Sequence, residues 1–243
     1  MFGQLHQIAS ASGGADIFGD GSNIFTLNIA SGSLGDNSVE GGFTLRGYEN
    51  RGTRRDGVVV FSTNVPTGRT GWGRSMTLSD NQDDMSCAID FPSTYATPEA
   101  DIKAYSFWVY VDVHDDDDNV VLGVNLRRQN NGNMFIYARN PNTNDSFSKV
   151  STDTWHHICV VDEGTTMRTY LNATSLGTHS IGTGTIYWED AFFGDDGSTR
   201  ERRFMAISDA NASNEIFITG ARMFNRSLSQ AEVTTLYNED PSF

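Results

Sequence analysis

The sequence predicts an all-β fold, a two-sheet antiparallel jelly-roll sandwich with one short C-terminal helix. Three observations predict it. Short apolar runs recur at spacings of about 8 to 15 residues, each bounded by turn residues. Strands do not alternate with long amphipathic helices, which argues against a doubly wound sheet. A single capping-box signal stands near the C-terminus.

The strands follow in order. Ile24–Ile29, Phe43–Leu45 after Gly41-Gly42, Val58–Phe61, and the alternating Ser75–Leu78 and Met85–Phe91 come first. Tyr105–Val111 is long and rich in aromatics, and Val120–Leu126 follows an acidic run. Met134–Tyr137 comes after Asn130-Asn131-Gly132-Asn133, a hairpin signal because Asn and Gly tolerate positive φ. His157–Val161, Met167–Leu171, Thr185–Trp188, Phe204–Ile207 and Glu215–Ile218 complete the set, and Arg222-Met223-Phe224 alternates as a strand. Ser229-Gln230-Ala231-Glu232 then starts a helix with Ala231, Val233, Leu236 and Tyr237 as apolar contacts. Asn238 and Pro241 end it.

One domain over residues 15–243 is the simplest division, preceded by an arm over residues 1–14. Phe2, Leu5 and Ile8 are the arm's apolar positions, and Gly13-Gly14 is its hinge. A frayed terminus and a docking segment that orders on a partner both fit it.

Composition narrows the function. The 243 residues include 22 Asp and 9 Glu against 15 Arg and 2 Lys, for a net charge of −14. Nucleic-acid binding needs cations to displace phosphate counterions, so this balance counts against it. No apolar run approaches the roughly 18 to 20 residues of a membrane span. The Asp surplus suits turns, and it also supplies hard oxygen ligands for a cation such as Ca²⁺. Cys87 and Cys159 lie in apolar strand-like stretches and read as buried reduced thiols, a single disulfide being the alternative. The N-terminus lacks the basic start and apolar centre of a secretory signal, so the expectation is a cytoplasmically made chain, complete from Met1.

Several motifs resemble one family. Trp155-His156-His157-Ile158-Cys159-Val160-Val161 precedes Met167-Arg168-Thr169-Tyr170-Leu171-Asn172. Ile218-Thr219-Gly220-Ala221-Arg222-Met223-Phe224-Asn225-Arg226-Ser227-Leu228-Ser229 leads into Ala231-Glu232-Val233 and Leu236-Tyr237. With the strand Tyr105–Val109, these resemble the laminin-G-like, concanavalin A-like jelly rolls. The opening, Asp16–Ser22, resembles the start of such domains in tailed-phage virion proteins. The resemblance implies a lectin-like sandwich and, in some members, Ca²⁺ at the sandwich rim.

The candidate chemistry sits at that rim. Asp115 to Asp118 are four adjacent carboxylates after Asp112 and His114. They are either a solvated acidic loop or, through Asp112, Asp115 and Asp117 with a partner from another loop, a Ca²⁺ site. Trp188 beside Glu189-Asp190, together with Asp195 and Asp196, suits a sugar through ring stacking and hydroxyl hydrogen bonds, although Trp188 equally suits a core. Trp72 between Gly71 and Gly73 reads as a surface aromatic for the same ligand. Arg51, Arg54 and Arg55 form a small basic patch, either solvated or in contact with an acidic neighbour. Jelly-roll glucanases place catalytic carboxylates as E-x-D-x-x-E on one strand, a motif this sequence lacks. His156 and His157 are adjacent on a strand and face opposite ways, so one is expected to pack and the other to be exposed.

The leading expectation is a non-enzymatic phage virion structural protein, a capsid-decoration or tail-associated component. It would attach to other virion proteins through the arm or the arginine patch, in several copies or as an oligomer. The alternative is a carbohydrate-binding lectin module, on a tail fibre or free, with a host surface glycan as partner and Ca²⁺ as a candidate cofactor.

Overall fold

The computed structural model describes residues 16–27, 29, 44–49, 53–54, 59–78, 85–90, 102–112, 118–121, 124–128, 134–138, 146–180, 203–209 and 215–240. The strands are β1 (Asn23–Thr26), β2 (Thr44–Glu49), β3 (Thr53–Arg54), β4 (Val59–Ser62), β5 (Ser75–Leu78), β6 (Met85–Asp90), β7 (Ala104–Asp112) and β8 (Asp118–Val121). They continue as β9 (Val124–Arg128), β10 (Met134–Ala138), β11 (Ser146–Val150), β12 (Trp155–Asp162), β13 (Thr166–Leu171), β14 (Thr174–Ser180), β15 (Arg203–Asp209) and β16 (Glu215–Phe224), before helix α1 (Gln230–Asn238).

Among the described residues, two eight-stranded sheets result. The first runs β14-β13-β12-β7-β16-β5-β4, with β1 also paired to β16, and the second runs β11-β10-β9-β8-β15-β6-β2-β3. The strand pairs are antiparallel throughout. The hairpin expected from the Asn-Gly cluster is present as β9 paired to β10. Val120–Leu126, expected as one strand, is two: β8 and β9 pair with each other, Val121 opposite Val124. Strands β3, β11 and β14 were not anticipated, and among the described residues each lies at the end of a sheet. An edge strand has one neighbour and carries polar residues, so its hydrophobic signal is weak. The expected strand Thr185–Trp188 lies outside the described residues.

The period-2 alternation of β7 fixes the interior. Tyr105, Phe107, Val109 and Val111 point between the sheets, with Ile158 and Val160 of β12 and Ile216, Ile218 and Met223 of β16. Leu45, Cys87, Ile89 and Val150 join the same cluster from the second sheet. Each fully buried large side chain contributes roughly 1.5–3 kcal/mol of transfer free energy.

The opposite face of the first sheet is also apolar, and α1 covers part of it. Ser229 Oγ accepts from the Glu232 N–H, and Glu232 accepts from the Ser229 N–H, which closes the expected capping box. Val233 and Leu236 pack on Ala104, Cys159, Val161, Tyr170 and Phe224, while Ile17 and Phe18 close the same cluster from the N-terminal side. The two buried cysteines therefore belong to separate clusters, Cys87 between the sheets and Cys159 in the cluster of α1, and no disulfide joins them. Asp20 and Glu232 both accept from Arg226, at 2.6 Å each, and tie the opening segment to the first turn of the helix. Among the described residues, no helix is long and apolar enough to cross a membrane.

One strand changes partners midway. Ile218 of β16 pairs with Met76 of β5, whereas Arg222 to Phe224 pair with β1. The register shifts between Thr219 and Arg222, where Gly220 has φ +61. Trp72, carried by a short 3₁₀ turn over Thr70–Trp72, lies against this bulge and is 1% exposed. A Cβ on Gly220 would meet the indole at 2.9 Å. Both the left-handed backbone and the ring require glycine there. Gly220→Ala is expected to lower stability by about 2 kcal/mol or more, read from urea unfolding, with an unchanged m-value.

Candidate functional site

The outer face of the first sheet is a ladder of side chains. The β12–β7–β16 registers set four rows: Val161–Ala104–Phe224, Cys159–Ser106–Arg222, His157–Trp108–Thr219 and Trp155–Tyr110–Phe217. The last member pairs with its β7 neighbour in every row. Four residues of strand advance about 13 to 14 Å, and a nine-residue helix is about as long. Helix α1 starts over the first row and ends over the third.

The second row is polar and sealed. Arg222 is 1% exposed, and its guanidinium donates to Glu239 Oε2 through Nε (3.0 Å) and to Oε1 through Nη2 (2.5 Å). Nη1 donates to Thr26 Oγ1 at 2.8 Å. Burial raises the Glu239 carboxyl from its ordinary range, and Arg222 opposes that shift. This expected strand arginine thus lies under the helix end.

The third row is aromatic. The Tyr237 ring stacks on Trp108, with centroids 5.5 Å apart at 26°, and meets His157 edge-on at 5.9 Å. Arg69 Nε and Nη2 donate to the Tyr237 carbonyl at 3.0 and 2.7 Å, and the guanidinium lies 4.6 Å from the Trp108 centroid. Asp240 Oδ1 accepts from the Gly71 N–H at 2.8 Å. Burial, helped by Arg69, pushes the His157 imidazole down to about 3, so it is neutral at pH 7. Neither histidine is exposed, contrary to the expectation of one exposed ring: His156 is 7% and His157 1% exposed. The helix end covers the outward ring. His156 points inward, where Nδ1 accepts from Asn172 Nδ2 (3.4 Å) and Nε2 meets the Ser151 carbonyl (3.0 Å).

The fourth row lies past the helix. Trp155 and Tyr110 are half-buried, and their centroids are 5.7 Å apart at 54°. Phe217 backs Tyr110 edge-on at 5.9 Å. Trp155 Nε1 donates to Asn64 Oδ1 at 3.0 Å, which fixes the indole and leaves the Asn64 amide NH₂ as a donor. Asn64 is held by its own N–H, which donates to Ser62 Oγ at 3.1 Å. On the other side, Tyr110 Oη donates to Oδ1 of the exposed Asp153 at 3.3 Å. The Asp153 N–H donates to the Val111 carbonyl at 2.9 Å, from a left-handed backbone with φ 57. Two partly open rings are therefore flanked by an amide donor and a carboxylate acceptor. Such a surface can stack on the C–H face of a small ring and pair its hydroxyls.

The residues expected from the sequence fare differently. Trp72 is a core residue, not a surface aromatic. Its flanking glycines allow the tight turn that drives the ring inward, and Gly73 takes φ 67. Asp112 closes β7 and Arg54 closes β3. Asp115, Asp117, Trp188, Asp195, Asp196, Arg51, Arg55, Phe2, Leu5 and Ile8 lie outside the described residues. Among the described residues, no three His, Cys, Asp or Glu side chains gather to hold a metal. The fourth row was missed. Strand parity places Tyr110 with Trp108 and Trp155 with His157, but only the helix length shows which pair stays open.

The model of the concanavalin A-like lectin/glucanases superfamily matches residues 83–234. No curated protein sequence matches the chain. Among solved structures, the binding domain of botulinum neurotoxin DC in complex with rat synaptotagmin II is similar at TM-score 0.56 and 13% identity, over 89% of this chain and 51% of that one. The same domain in complex with SialylT gives TM-score 0.54 and 14% identity, over 90% and 51%. The chain thus spans about half the length of those binding domains. Domain 4 of the extracellular arabinanase AbnA from Geobacillus stearothermophilus, in complex with arabinotriose, gives TM-score 0.55 and 13% identity, over 89% of this chain and 98% of that one.

The buried His157 generates a pH prediction. Its folded pKa is depressed, so the unfolded chain takes up the proton first, and stability present above the unfolded value near 6.5 is lost as pH falls toward about 3. Between pH 7.5 and 5 the loss is about 2 kcal/mol. His157→Phe is expected to reduce this slope, read from chemical unfolding at each pH, and to leave the smaller part owed to His156, whose pKa burial also lowers.

Proposed function

The chain belongs to the concanavalin A-like lectin/glucanases superfamily, and on that premise we propose that it is a non-enzymatic carbohydrate-binding module. The observation that carries this reading is the fourth row: half-open Trp155 and Tyr110, held rigid by hydrogen bonds and flanked by Asn64 and Asp153. A sugar presents apolar C–H faces and a rim of hydroxyls, and this row offers complements to both. Rings already fixed in place lose little side-chain entropy on binding. Stacked aromatics on a sheet hold a ligand but supply no acid and nucleophile across a bond.

The narrower placement expected from the sequence is a phage virion, with the module as a capsid-decoration or tail-associated part made in the host cytoplasm. Its support is the resemblance of the opening Asp16–Ser22 segment. On a particle, many copies would turn a weak single-site affinity into avidity for a host surface glycan. Attachment to other virion proteins falls to the arm with Phe2, Leu5 and Ile8 and to the Arg51, Arg54 and Arg55 patch. A Ca²⁺ ion held by Asp112, Asp115 and Asp117 is a separate part of this proposal.

A glycan array followed by titration of the best oligosaccharide tests the reading. Trp155→Ala is expected to weaken binding about tenfold, the equivalent of ~1.4 kcal/mol of stacking, in a chain that circular dichroism shows still folded at the assay temperature. An array without signal, or equal affinity in the variant, rejects the reading. Loss of binding in chelator assigns the Ca²⁺ site a role, and release of new reducing ends from the bound oligosaccharide rejects the non-enzymatic assignment.

A further inference from the structure

We infer that the fourth-row site selects uncharged sugars over acidic ones, with Asp153 as the discriminating group. This rests on reading that row as a glycan site. Fold likeness does not make the choice: one similar structure is a complex with arabinotriose, which is uncharged, and another is a complex with SialylT, whose sialyl group carries a carboxylate.

The local charges do. Asp153 is exposed, and Oδ1 takes the Tyr110 hydroxyl, which leaves Oδ2 as an acceptor at the edge of the rings. Asn64, bonded to the Trp155 indole nitrogen, is neutral and donates through its amide. Arg69, the cation of the adjoining row, directs Nε and Nη2 to the Tyr237 carbonyl, and its guanidinium carbon lies 4.6 Å from the Trp108 centroid. A neutral sugar suits these groups: its hydroxyls can donate to Asp153 and accept from the Asn64 amide, while the ring's C–H face rests on Trp155. A sugar carboxylate would instead meet the Asp153 carboxylate, on a chain whose net charge of −14 already repels anions.

The test uses a matched pair, a neutral oligosaccharide and its sialylated derivative, titrated on the full chain and on D153N. Asn tolerates the left-handed backbone that residue 153 adopts, so this variant keeps the turn, and its melting temperature confirms that. The native chain is expected to prefer the neutral sugar by roughly fivefold in dilute buffer, the size of a solvent-screened pair of charges about 4 Å apart. The preference is expected to shrink at about 1 M salt, where the screening length is about 3 Å. In D153N the two sugars are expected to bind within about twofold of each other. Equal or tighter binding of the sialylated sugar to the native chain, or an unchanged ratio in D153N, overturns the inference while leaving the glycan site intact. If Trp155→Ala leaves both affinities unaltered, the glycan reading itself fails, and this inference with it.

Discussion

A β-strand whose side chains are apolar on both faces needs a cover on each side, and β7 is such a strand. Its odd-numbered residues face the second sheet, and its even-numbered residues face outward. Helix α1 is the outer cover, and it has nine residues. Its length sets which part of the outer face is sealed. Ala104, Ser106 and Trp108 fall under it, and Tyr110 does not. The half-open aromatic row is therefore a remainder: it exists because the central strands are longer than the helix laid along them.

The helix is held at both ends by charge. At its start, Arg226 bridges Asp20 and Glu232, all three partly open to solvent. Exposed pairs of this kind contribute little each. At its end, Arg222 and Glu239 form a buried pair, with Thr26 as a further acceptor. Removing one member of a buried pair leaves an uncompensated charge, which costs far more than the pair itself contributes. Arg69 adds a second clasp by bonding the Tyr237 carbonyl, one of the C-terminal carbonyls that a helix cannot satisfy internally. The adjoining rings are thus placed by backbone and guanidinium contacts as well as by packing.

Much of this architecture was legible before the structure. The alternation in Tyr105–Val111, the Asn-Gly hairpin signal and the Ser229–Glu232 capping box each depend on residues close in sequence, and each is found where it was expected. The strands that escaped notice, β3, β11 and β14, end the sheets formed by the described residues, and their sequences carry mostly polar residues, which give little hydrophobic pattern to read. Trp72 misled because flanking glycines read equally as exposure or as a tight turn, and the deciding contact, with Gly220, lies far away in sequence. The aromatic row was hidden for a related reason. Trp155 and Tyr110 look like ordinary strand residues until the reach of a helix some 75 residues beyond Trp155 is measured against them.

Cys159 gives the helix a built-in reporter. Its thiol sits in the cluster of Val233 and Leu236, and burial pushes its ionisation well above the ordinary thiol range. Alkylating reagents attack the thiolate and need access to sulfur. Labelling at Cys159 must wait until the cover lifts, so its rate in native buffer, set against the rate of global unfolding, separates local opening of α1 from loss of the whole fold.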